Sequence, residues 1–176
     1  MNDMIVSPEQ SATTQRKTAV RPPNAPGEIH IRFVDGPAAT FELLWSEAPA
    51  VCAAVIAGLP TEADCFHAIY SGTVAAFLMD PDVVAPDENA TTCLQPGDLL
   101  FTHYDADFRH GHAEALSEVY WAYDRYARPT IPGQFIPLAA PVFGRYVGSD
   151  EDWIAFAGTC GRLRFDGVKR LRIDVS

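Results

Sequence analysis

The chain has 176 residues, 48% of them apolar, with 14 prolines, 12 glycines and a formal net charge of −10. This length fits one domain that hides about two-thirds of its unfolded surface, so neither a disulfide framework nor a structural metal is required. The acid is concentrated: residues 29–160 hold eighteen acidic and five basic side chains, and residues 161–176 hold five basic and two acidic, a balance that repels phosphate backbones and anionic membranes and argues against nucleic acid as a partner.

Proline and glycine at this density favour a turn-rich, mainly β chain over a helical bundle. No run reaches the ~20 apolar residues of a membrane span, and the first residues lack the apolar centre of a secretory signal. The expected setting is therefore cytoplasmic. Cys52, Cys65, Cys93 and Cys160 are widely spaced, without a Cys-x-x-Cys pair, which fits buried free thiols.

Residues 1–27 are polar and proline-containing and are expected to form a disordered tail ahead of one domain at 28–176. From Glu28, Ile29-His30-Ile31-Arg32-Phe33 alternates as a half-buried strand. Asp35-Gly36-Pro37 is a turn, and Thr40 to Trp45 a second strand. Ser46 is placed to cap a helix running to Leu59, whose Val51, Val55, Ile56 and Leu59 should plug one end of a barrel. Cys65 to Tyr70 and Thr73 to Met79 flank Ser71-Gly72 as a hairpin. Residues 80–88 form an acidic loop.

Pro96-Gly97-Asp98 leads into a strand ending at Tyr104, and a polar loop spans 105–114. Leu116 to Tyr123 is a strand with Leu116, Glu118, Tyr120 and Ala122 on one face. Residues 124–141, with four prolines, run irregularly, and Val142 to Val147 returns to strand. Ser149 starts a short helix with a Ser-x-x-Asp near-capping box. Arg162 to Phe165 and Val168 to Val175 read as two basic strands around Asp166-Gly167. The acidic loops could pair with these basic strands. So many short strands favour closure, which removes exposed edges.

The order of elements resembles the cyclophilins. Glu47-Ala48-Pro49 before the first helix, Phe66-His67 on the next strand, Gly133-Gln134-Phe135-Ile136 and Val142-Phe143-Gly144-Arg145-Tyr146-Val147 carry the likeness. The chain is more similar to an uncharacterised bacterial and archaeal family with the cyclophilin-like fold. That likeness rests on Glu47-Ala48-Pro49, His67-Ala68, Ser71-Gly72, Glu88-Asn89-Ala90-Thr91, Pro96-Gly97-Asp98 and Ala122-Tyr123, and covers about residues 28–175. The fold implied is all-β: a cyclophilin-like closed β-barrel with one or two short helices. Where cyclophilins carry the arginine that assists prolyl isomerisation, this chain has Ala68. A methyl group cannot donate to the prolyl nitrogen, and loss of such a donor costs orders of magnitude in rate.

What remains is a groove on the barrel that binds a small metabolite or acts on one, with no cofactor required. His67, Glu118, Asn89, Thr91, Gln134 and Phe135 are the candidate ligand-binding residues. A peptide- or protein-interaction module and a residual isomerase stay open as alternatives, as does a homo-oligomer. His103, His110, His112 and Glu114 form the one cluster of metal-ligand type, and its spacing fits a solvated acidic loop better than a metal centre.

Overall fold

The computed structural model describes residues 20–108, 113–130 and 137–176. Nine strands and two helices follow in the order β1 (Glu28–Phe33), β2 (Ala38–Leu43), α1 (Pro49–Gly58), β3 (Glu62–His67), β4 (Val74–Met79), β5 (Ala90–Thr91), β6 (Asp98–Tyr104), β7 (Leu116–Ala122), β8 (Ala140–Tyr146), α2 (Asp150–Asp166) and β9 (Lys169–Val175). The pairing order is β2-β1-β9-β3-β4-β7-β6-β8, and β2 pairs β8 to close the ring, with the two-residue β5 outside β8. The expected all-β closed barrel is therefore what forms: eight antiparallel strands and two helices.

Alternation along each strand sorts residues inside and out. Ile29, Ile31, Phe41, Cys65, Phe77, Leu99, Val119, Trp121, Phe143, Leu171 and Ile173 fill the interior. The helices close opposite mouths. Helix α1 lies where β2 ends and β8 begins, and Cys52 Sγ donates to Phe143 O. Val51 and Val55 are buried, with Ile56 and Leu59 partly buried against them. Helix α2 lies where β1 ends and β2 begins. Its Phe156 contacts Phe33, Phe41 and Trp121, and Trp121 Nε1 donates to Cys160 Sγ at 3.3 Å.

Several local readings are corrected. Arg162 to Phe165 is not a strand. It is the last turn of α2, which runs for 17 residues and ends on Gly167 at φ +82°. Leu163 extends the buried stripe of Phe156 and Cys160, so burial along the helix prevails over local alternation. The N-cap of α1 is Ala48 and has no side-chain cap, so Ser46 plays no such part. Instead Glu88 Oε2 accepts from Ala50 N at 2.7 Å and Val51 N at 3.2 Å. The strand expected to reach Trp45 ends at Leu43, and Trp45 Nε1 donates to Pro26 O. Among the described residues the basic β9 pairs with strand β3 rather than with the acidic loops: Arg170 meets Glu62 and Asp64, and Arg172 meets Glu62. The tail expected at 1–27 falls outside the described residues up to position 19.

Candidate functional site

The sheet's outer face carries a second apolar cluster. Val74, Ala76, Leu100, Tyr120, Ala122, Ala127, Ala140 and Val142 form it, with Phe66 and Ala68 against its edge. An outer barrel face is ordinarily solvated; here residues 124–130 cover part of it. That segment is bonded to the β3–β4 turn by Arg128 N to Ser71 O, Thr130 Oγ1 to Tyr70 O and Thr73 Oγ1 to Asp124 O. Gly72 lies at the junction with φ +73°, and a Cβ there would sit 2.0 Å from Tyr126 O. The position therefore requires glycine on both counts.

The rest of the outer face is a groove of about 190 Å³, walled by Phe66, Ala68, Tyr70, Pro129 and Thr130 and floored by Tyr104, Glu118 and Tyr120. Glu118 is 9% exposed, one of few buried charged residues among those described. It stands opposite Thr102 on β6, and the Tyr120 hydroxyl is 2.9 Å from Thr102 Oγ1. Burial, and then the neighbouring Tyr104, hold the Tyr120 phenol well above its ordinary pKa. Tyr120 is thus a neutral hydroxyl at physiological pH.

His67 also lines this groove, and its ring reaches Tyr123 and Arg164. Cys65 and His67 share the interior side of β3, whereas Phe66 and Ala68 share the outer side. His67 Nε2 lies 2.8 Å from the Tyr123 hydroxyl and accepts from Arg164 Nε at 3.0 Å. Arginine only donates, so Nε2 is the acceptor nitrogen and Nδ1 carries the proton. Nδ1 is buried with no partner. Desolvation first, and the Arg164 charge second, lower the His67 pKa to about 4. His67 and Glu118 thus both line the groove, with the His67 ring engaged by Tyr123 and Arg164.

Asn89 and Thr91 lie away from the groove. Asn89, at φ +50°, donates to Val142 O, and Thr91 Oγ1 accepts from Cys93 N. Both side chains shape the turn into β5. Gln134 and Phe135 lie outside the described residues, as do His110 and His112. His103 Nδ1 is 2.9 Å from Ser117 Oγ, Glu114 is exposed, and no group of three metal-ligand side chains exists among the described residues. Sequence reading missed Tyr104 and Thr102 on β6 and Arg164 on α2. The first two share the parity of Leu100 on β6, a signal that was available. Arg164 was hidden by the strand assignment.

The family described as "Protein of unknown function (DUF3830)" matches residues 33–174. No curated protein matches. Among solved structures, McbB in complex with tryptophan is similar with a TM-score of 0.57 at 21% identity, over 82% of this chain and 43% of that one. The hypothetical protein AF2241 from Archaeoglobus fulgidus is similar with a TM-score of 0.47 at 20% identity, over 86% of this chain and 96% of that one. This chain thus spans less than half the length of McbB, and these likenesses concern the fold. No helix among the described residues is long and apolar enough to cross a membrane.

Proposed function

The chain belongs to the DUF3830 family, and from its groove we propose that it binds a small metabolite on the outer face of the barrel, through a hydrogen-bond donor held by Glu118. The observation that carries this reading is a buried carboxylate on the groove floor between two buried tyrosines. An ionised carboxylate only accepts, so the matching ligand group is an amine or a hydroxyl. Phe66, Tyr70 and Pro129 supply apolar walls for the ligand body, and the Tyr120 phenol offers a neutral polar group beside it. Such a mix of mostly apolar walls and few polar groups is the usual make-up of a small-molecule site.

Binding of tryptophan is a property of McbB, and it is consistent with a barrel of this kind holding a small ligand. Ala68, at the groove edge, supplies no donor for prolyl isomerisation. Free cysteines without a disulfide among them suit a reducing, cytoplasmic setting.

A metabolite library screened by thermal shift tests the proposal. At least one amine or polyol should raise the melting temperature of the parent protein. Glu118→Gln, which keeps the shape and removes the charge, should weaken that ligand by roughly tenfold or more. Hits that all bind Glu118→Gln as tightly as the parent would place the site elsewhere.

A further inference from the structure

A second cleft, of about 470 Å³, opens between the last residues of β3 and the end of α2. Phe66, Ile69, Leu163 and Val168 line it, with Arg164 and His67 as its polar side chains. Ile69 is 78% exposed and Val168 61% exposed, so two large apolar side chains stand in solvent beside a guanidinium.

Arg164 is held in place without being neutralised. Its Nε donates to His67 Nε2 at 3.0 Å and its Nη2 to Gly72 O at 3.1 Å. Several other cations have acids: Arg145 has Asp98, Arg162 and Lys169 share Asp166, and Arg170 and Arg172 meet Glu62. Among the described residues no carboxylate lies within ion-pair distance of Arg164, and its Nη1 has no partner. A fixed guanidinium with an unused edge presents paired donors to a planar anion. The Arg164 charge also helps, after desolvation, to lower the His67 pKa. His67 is 7% exposed, and its buried Nδ1–H is likewise unpartnered.

We infer that this cleft is a second binding site, for a monocarboxylate with an apolar aromatic or branched body. The carboxylate sits on the free edge of Arg164, and the body packs on Ile69, Leu163, Val168 and Phe66. One guanidinium matches one carboxylate. A phosphate dianion would find no second lysine or arginine in the cleft's lining. The overall charge of −10 disfavours anions, so the apolar body must contribute much of the affinity. The cleft shares Phe66, His67 and Ile69 with the Glu118 groove, but its anion goes to Arg164 rather than to Glu118.

Phenylacetate titrated into the full chain, followed by calorimetry and by amide shifts of residues 163–168, tests the inference. Phenylacetate should bind saturably, and both acetate and neutral phenylacetamide should bind roughly tenfold or more weaker. Arg164→Gln should lose phenylacetate by a similar factor. Because Arg164 also ties α2 to the β3–β4 turn, Val168→Ser serves as a second variant; its exposed side chain can change without disturbing the core, and it should weaken phenylacetate several-fold while leaving the melting temperature unchanged. Equal affinity for phenylacetate and phenylacetamide would overturn the inference, as would absence of saturable phenylacetate binding to the parent. It would also fail if Glu118→Gln, and not a folded Arg164→Gln, abolished binding, because the acid would then occupy the groove.

Discussion

His67 shows how a candidate ligand contact takes its partners from the assembled fold. A histidine in an apolar run marks a polar need, and the sequence shows that much. Which face it serves depends on strand parity and on an arginine ninety-seven positions away, information that only the assembled barrel holds. Its pKa, lowered to about 4 from 6.5, makes a stability prediction. The unfolded chain binds a proton at His67 below pH 6.5, and the folded one only near pH 4. Stability from this residue is thus full above about pH 6.5 and falls as pH drops towards 4. Urea unfolding of the parent and of His67→Gln across this window should show the difference between them shrinking as pH falls. A gap that stays constant from pH 7 to pH 4 would refute the neutral, desolvated state. Glu118 was more legible: its parity with Tyr120 and Ala122 on one face of β7 is visible in the residues themselves.

At the scale of elements, the strands were easier to find than the helix ends. Period-two patterning located β1, whose burial alternates, whereas β4 and β6 are buried on both faces and are marked in the sequence by the turns before them. The end of α2 was misread because Arg162-Leu163-Arg164-Phe165 alternates, and only Leu163 is buried. The pattern Trp153, Phe156, Cys160 and Leu163 has helical spacing and was the better guide. Helix α1 illustrates a different limit. Its first turn is capped from Glu88, far along the chain, and no local motif encodes a remote cap. Glu88→Ala should cost about 1 kcal/mol of stability by removing acceptor and charge from two backbone N–H groups, whereas Ser46→Ala should be near neutral. Chemical denaturation of the two variants decides it, and equal effects would return the capping role to Ser46.

At the scale of the whole molecule, the barrel joins its parts into one packing unit. Cys52 lies in α1, Cys65 in β3 and Cys160 in α2, all fully buried, while Cys93 is exposed. Burial raises the pKa of the Cys52 and Cys160 thiols to about 12 and also raises that of Cys65. A thiol reagent should therefore label Cys93 at once and the other three only through opening. Since they sit at both mouths and in the wall, their slow labelling rates should coincide if the barrel opens as a single unit. Mass mapping of time points would reveal an early-opening cap as one cysteine reacting ahead of the rest.

Strand β9 gives this closure an order in time. It is the last element in the chain, yet it lies between β1 and β3 in the ring. A ribosome makes β1 first, and β1 then has β2 on one side and a bare edge on the other. The same is true of β3 beside β4. Those two edges stay unpaired until residues 169–175 have been made, however long the preceding elements have had to fold. During synthesis the chain carries an open sheet with a gap one strand wide, the arrangement most exposed to pairing with a neighbouring nascent chain. Arg170 and Arg172 face Glu62 and Asp64 across that gap, so opposite charge favours the chain's own final strand as the one that fills it.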